Sequence, residues 1–144
     1  MKTLDEITDS DLTSEKIQLR IDNWVERIDK LYVQMEEWLP TGWIAHKEKD
    51  VPMNEPLMKK YRVRAVKLDR LELTGKNNLK ATIEPRGLWI IGSNGRLDLV
   101  YKNRHYIIVD EAENFKNPQW RIASLSKRTK LEVLNKEKFQ SLLK

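Results

Sequence analysis

The chain is 144 residues long, 40% hydrophobic and 34% charged, with a formal net charge of +5. That length suits one domain with one core. The complete lack of cysteine excludes disulfides, thiolate chemistry and cysteine-type zinc sites, and no run approaches the roughly eighteen apolar residues of a membrane span. The opening Met1-Lys2-Thr3-Leu4-Asp5-Glu6 lacks the apolar stretch of a signal peptide. The expected setting is therefore the cytoplasm, with no membrane association. Charge is unevenly spread: residues 1–50 hold seven Lys/Arg against twelve Asp/Glu, leaving twenty against ten for residues 51–144. An acidic helix lying near a basic sheet accounts for that split, and so does a basic surface for nucleic acid or an acidic protein.

Residues 1–12 read as a loose polar tail. Thr13 suits a helix N-cap, with Glu15 in the first turn and Leu12 and Ile17 placed as a hydrophobic staple. Ile17, Ile21, Trp24, Ile28, Leu31, Met35 and Trp38 then recur at spacings of 4, 3, 4, 3, 4 and 3. That periodicity predicts one long amphipathic helix within 13–40, ended by Pro40. Residues 41–60 read as an irregular connector with one helical turn near Pro56. The segment 61–133 reads as an antiparallel β region. Its strands are predicted at Tyr61–Thr74, Leu79–Glu84, Leu88–Ile91, Arg96–Tyr101, Arg104–Val109, Gln119–Ser124 and Lys130–Val133. Lys102-Asn103 forms a two-residue hairpin turn that sets Leu99 opposite Tyr106 and Leu97 opposite Ile108. Asn135 caps a short terminal helix in 135–144 whose buried stripe is Phe139, Leu142 and Leu143. The predicted fold is α+β: a long N-terminal helix packed on a curled, mainly antiparallel sheet of about six strands, or an open barrel, with a short C-terminal helix.

Catalytic signatures are scarce. No Asp/Glu-x-Lys triplet of a restriction-type metal site occurs, and five glycines form neither a Walker loop nor a dinucleotide fingerprint. Gly92-Ser93-Asn94-Gly95 lacks the frame of a nucleophile elbow and reads as a hairpin loop. No catalytic residue, metal or cofactor is therefore assigned. An enzyme would have to assemble its site from Asp98, His105, Asp110 and Glu111.

A helix of roughly 39 Å overhangs a sheet about 29 Å wide. Tyr32, Met35, Trp38 and Leu39 are accordingly expected to meet another chain. The leading expectation is a small non-catalytic interaction protein (accessory subunit, inhibitor or adaptor) that self-associates or docks on a partner protein through this helix. The alternative is a nucleic-acid-binding module using Arg62, Arg64, Arg96, Arg121, Lys127, Arg128 and Lys130, with Trp43, Trp89 and Trp120 available to stack bases.

Overall fold

The computed structural model describes residues 12–126 and 130–144. Helix α1 (Ser14–Trp38) leads into a seven-stranded antiparallel meander, β1 (Ile44–Met53), β2 (Val66–Thr74), β3 (Lys80–Gly87), β4 (Arg96–Tyr101), β5 (Arg104–Asp110), β6 (Trp120–Ser124) and β7 (Glu132–Val133). Strand order follows chain order, and the sheet is open with β1 and β7 at its edges. A short helix α2 (Pro56–Lys60) sits between β1 and β2, and α3 (Lys136–Leu142) closes the chain. Among the described residues no helix is long and apolar enough to cross a membrane.

Local chemistry explains the ends of α1. The Thr13 hydroxyl accepts from the Lys16 amide at 3.2 Å, and Pro40 blocks continuation beyond the C-cap Leu39. The stripe from Ile17 to Met35 is buried against the inner sheet face of Leu71, Leu73, Ile83, Leu97, Leu99, Ile108 and Ile122. Each such side chain contributes roughly 1.5–3 kcal/mol on burial, so packing rather than propensity holds the helix. The hairpin register is as predicted, with Leu97 opposite Ile108 and Leu99 opposite Tyr106. Lys102 and Asn103 adopt φ of 50° and 61°, the left-handed pair that a two-residue turn demands.

Several segments differ from expectation for identifiable reasons. Residues 44–53 form an edge strand rather than part of an irregular connector. Most of its side chains face solvent, so His46-Lys47-Glu48-Lys49-Asp50 carries no apolar alternation to reveal it. Residues 61–63 complete the turn of α2, with the Val63 amide donating to the Met58 carbonyl at 2.8 Å, so β2 begins only at Val66. Strand β3 continues through Pro85, where the register shifts at a bulge. Leu88–Ile91 leaves the ladder and keeps a single bridge, Ile90 to Ser93. The Glu55 carboxylate takes both the Leu88 and Trp89 amides, at 3.0 and 3.2 Å, in place of a strand partner.

The largest correction concerns the helix stripe. Met35 is 0% exposed and Tyr32 2%, so neither presents a surface to another chain. The Tyr32 hydroxyl donates to the Asp69 carbonyl at 2.8 Å, and burial, reinforced by the Asp69, Glu84 and Asp29 carboxylates, pushes its pKa up. Trp38 packs on Phe139 with ring centroids 6.0 Å apart, and Leu39 packs on the core from its margin. The Gln140 side-chain amide donates to the Trp38 carbonyl at 2.9 Å. The sheet width alone underestimated the cover, because α3 roofs the end of α1 that would otherwise overhang.

Candidate functional site

The other half of α1 carries a buried polar network. Arg20 and Arg27 lie four residues before and three after Trp24, on the buried side of the helix. Arg27 Nη1 meets Asp110 Oδ2 at 2.8 Å with both side chains buried, and it also donates to the Asn94 carbonyl at 2.6 Å. Burial lowers the Arg27 pKa, and the Asp110 charge and hydrogen bond oppose that shift. Arg20 donates to Asn94 Oδ1 at 2.8 Å, and its guanidinium lies 5.9 Å from the Trp89 ring centre.

Asp110 joins this network to the loops at one end of the sheet. Its second oxygen accepts from the Ala112 and Gln119 amides, each at 2.9 Å, which fixes both ends of the 111–119 loop. Its carbonyl accepts from the Asn94 amide at 2.8 Å, and its amide donates to the Gly95 carbonyl at 3.2 Å. Gly95 has φ of +113°, and a Cβ there would lie 2.4 Å from the Trp24 ring. Only glycine lets the 88–95 loop approach the helix so closely. Helix α1, Asp110 and Glu55 therefore hold the two loops in register.

Between those loops lies a cleft of about 210 Å³ lined by Arg20, Trp89, Ser93, Asn94, Glu113 and Asn114, among others. Among its lining residues, Trp89 Nε1, Ser93 Oγ and Asn94 Nδ2 are buried, with essentially no accessible surface, and without a hydrogen-bond partner among the described residues, as are Trp24 Nε1 and Tyr101 Oη elsewhere. Arginine donates only, so the Asn94 oxygen must face Arg20 and Arg27, which leaves its NH2 turned the other way. Buried donors normally find acceptors, so unbonded ones on these loops are uncommon. Each loop also exposes an apolar side chain next in sequence to a residue that lines the cleft. Ile91 is 97% exposed, and Phe115 is 49% exposed with φ of 63°, a conformation that bulky residues rarely adopt.

The residues predicted for other sites fall elsewhere. Asp98 and His105 do meet, with Asp98 Oδ2 2.8 Å from His105 Nε2, but on the outer sheet face. Asp110 points to the inner face, toward Arg27, and Glu111 pairs with Arg121 at 3.3 Å. The four groups considered for catalysis are thus split between the two sides of the sheet. Among the described residues no three His, Asp or Glu side chains gather as a metal site.

Arg96 and Arg121 share one cross-strand row with Val109 between them. Each already faces a carboxylate, Arg96 holding Asp98 at 2.7 Å and Arg121 holding Glu111. Arg62 and Arg64 are exposed ahead of β2, Lys130 is exposed ahead of β7, and Lys127 and Arg128 lie outside the described residues. The tryptophans do not form a stacking platform on the outer face. Trp43 packs on Tyr101, Trp120 on Trp24, and Trp89 belongs to the cleft. Further along the outer face, Arg70 Nη2 lies 3.0 Å from Asp50, and Lys80 lies 3.2 Å from Glu72. Hydrogen bonds from Arg70 and Lys80 hold the Asp50 and Glu72 carboxyls below their usual range.

Sequence reasoning missed the network, although a signal existed. Arg20, Trp24, Arg27 and Leu31 follow the same 4-3-4 spacing as the apolar stripe. Two arginines at stripe positions announce buried charge that needs an acceptor. Searches against protein-family models, curated proteins and solved structures find no match for this chain.

Proposed function

We propose that the chain is a non-catalytic interaction protein that docks on a partner protein through the loop end at 88–95 and 111–119. The long helix then serves as an internal support for those loops rather than as the docking element. The observation that carries this reading is the pair Ile91 and Phe115, exposed on neighbouring loops that a buried ion pair holds in place. Backbone strain in a half-exposed phenylalanine is uncompensated by burial in the free chain, and such strain concentrates at binding surfaces. The cytoplasm remains the setting this reading adopts.

The test compares the wild-type chain with an Ile91→Asp, Phe115→Asp double variant, both purified from source cells and weighed by native mass spectrometry. A protein component bound at fixed stoichiometry to the wild type should be lost from the variant, with the melting temperature unchanged. Retention of that component by the variant, or a wild type that always runs as a bare monomer, would overturn the proposal.

A further inference from the structure

We infer that residues 59–67, from the end of α2 to the start of β2, form a second interaction surface that binds the phosphate backbone of nucleic acid. This surface is independent of the docking loops above and shares no residue with them. Between Pro56 and Leu68 the chain has five cations, Lys59, Lys60, Arg62, Arg64 and Lys67, and no Asp or Glu. All five are exposed. Among the described residues Lys59, Arg62, Arg64 and Lys67 have no ion pair. On the strands, by contrast, Arg70, Lys80, Arg96 and Arg121 each face a carboxylate. Like charges this close repel one another, and the segment has no acidic residue of its own to offset that.

The fold fixes how these cations are presented. The Val63 amide donates to the Met58 carbonyl at 2.8 Å, and the Arg62 amide to the Lys59 carbonyl at 3.3 Å. These are the paired bonds that end a helix on a left-handed residue, and the accompanying apolar pair, Met58 and Val63, is buried. The left-handed position falls on Arg62, with φ of 55°, where glycine or asparagine fits with less strain. A cation thus stands where the backbone favours another residue.

The neighbours of the cations select the partner. A protein interface needs an apolar centre, and a segment lying on a membrane needs apolar side chains to insert. Here Met58 and Val63 are buried, and Leu57, Tyr61 and Val66 are half-buried and packed on the core. Ala65 alone of the apolar residues in 57–67 is exposed. Nucleic acid requires no such anchor, because cations that neutralise phosphates gain affinity by releasing counterions. Phosphate contacts carry no base information, so the binding is sequence-independent.

The test titrates a labelled single-stranded DNA of about 20 nucleotides and mixed sequence with the full chain, by fluorescence anisotropy, between about 50 and 200 mM salt. The triple variant Arg62→Gln, Arg64→Gln, Lys67→Gln should bind at least about tenfold more weakly at the lowest salt. Its slope of log affinity against log salt should be shallower by about two. A control triple, Lys47→Gln, Lys76→Gln, Lys136→Gln, removes the same charge from scattered exposed positions and should lose less than about threefold. Arg62→Gly should melt at a higher temperature and bind about threefold more weakly. No binding by the wild type at the lowest salt would overturn the inference, as would equal losses in the two triples or full affinity in Arg62→Gly. Binding to phosphatidylserine vesicles that depends on the same three residues, with none to DNA, would assign the surface to a membrane and overturn it too.

Discussion

The two ends of α1 are finished in opposite ways. At the C-terminal end, Met35 and Tyr32 are sealed, Trp38 rests on Phe139, and the Tyr32 hydroxyl and Gln140 amide both find backbone carbonyls. At the N-terminal end the same stripe includes Arg20 and Arg27. Their network ends at a cleft whose lining residues Trp89, Ser93 and Asn94 carry buried polar atoms with no partner among the described residues, on loops that also expose Ile91 and Phe115. One helix thus has an end closed mainly by apolar packing and an end closed by a buried ion pair and its hydrogen bonds. Loops kept in register by a buried ion pair are what the proposed docking surface requires.

The largest effect should come from the polar end. Arg27→Met leaves Asp110 buried without its cation and should cost about 3–5 kcal/mol of unfolding free energy by denaturant titration. The 111–119 loop should loosen with it, seen as faster amide exchange at Ala112 and Gln119, because both amides bond to Asp110.

Phe139→Ala attacks the apolar end. It should cost about 3 kcal/mol, by lost burial and the cavity left under Trp38, while exchange in the 111–119 loop stays as in the wild type. If either variant loosened both ends equally, the two regions would not be separate in the way described.

How legible each end was in the sequence follows from its chemistry. The apolar end was readable as structure, since spacing alone places Met35 and Trp38 on one face and Asn135 caps α3 as predicted. Its exposure was misjudged, because helix length was set against sheet width and the roofing by α3 is a tertiary contact 102 positions away in sequence, from Gln140 to Trp38. The polar end was illegible as a site. Only Arg20 and Arg27 share a segment and a spacing; Glu55, Trp89, Asn94 and Asp110 come from distant parts of the chain. Leu88–Ile91 looked like a strand until Glu55 claimed its amides. Strand β1 stayed hidden because an edge strand with polar side chains lacks the alternation that marks a half-buried one.

The smallest effect belongs to the outer face, remote from both ends. Asp50 and Glu72 have depressed pKa values in the folded chain, so their pairing adds stability above the ordinary carboxylate values of 3.8 and 4.5. That increment is fully present at neutral pH and fades as pH falls through the lower folded values. Asp50→Asn should remove part of this acid-side slope in stability against pH and leave the neutral melting temperature nearly unchanged, because the pair is solvent-screened.

That the Ser93 hydroxyl is buried without a partner among the described residues is tested most directly by the unfolding free energy of Ser93→Ala, measured on the isolated protein. If the Ser93 hydroxyl is buried without a partner, its removal leaves stability unchanged or raises it. A loss of about 1 kcal/mol or more would show that the chain already uses that group itself, and would contradict the account.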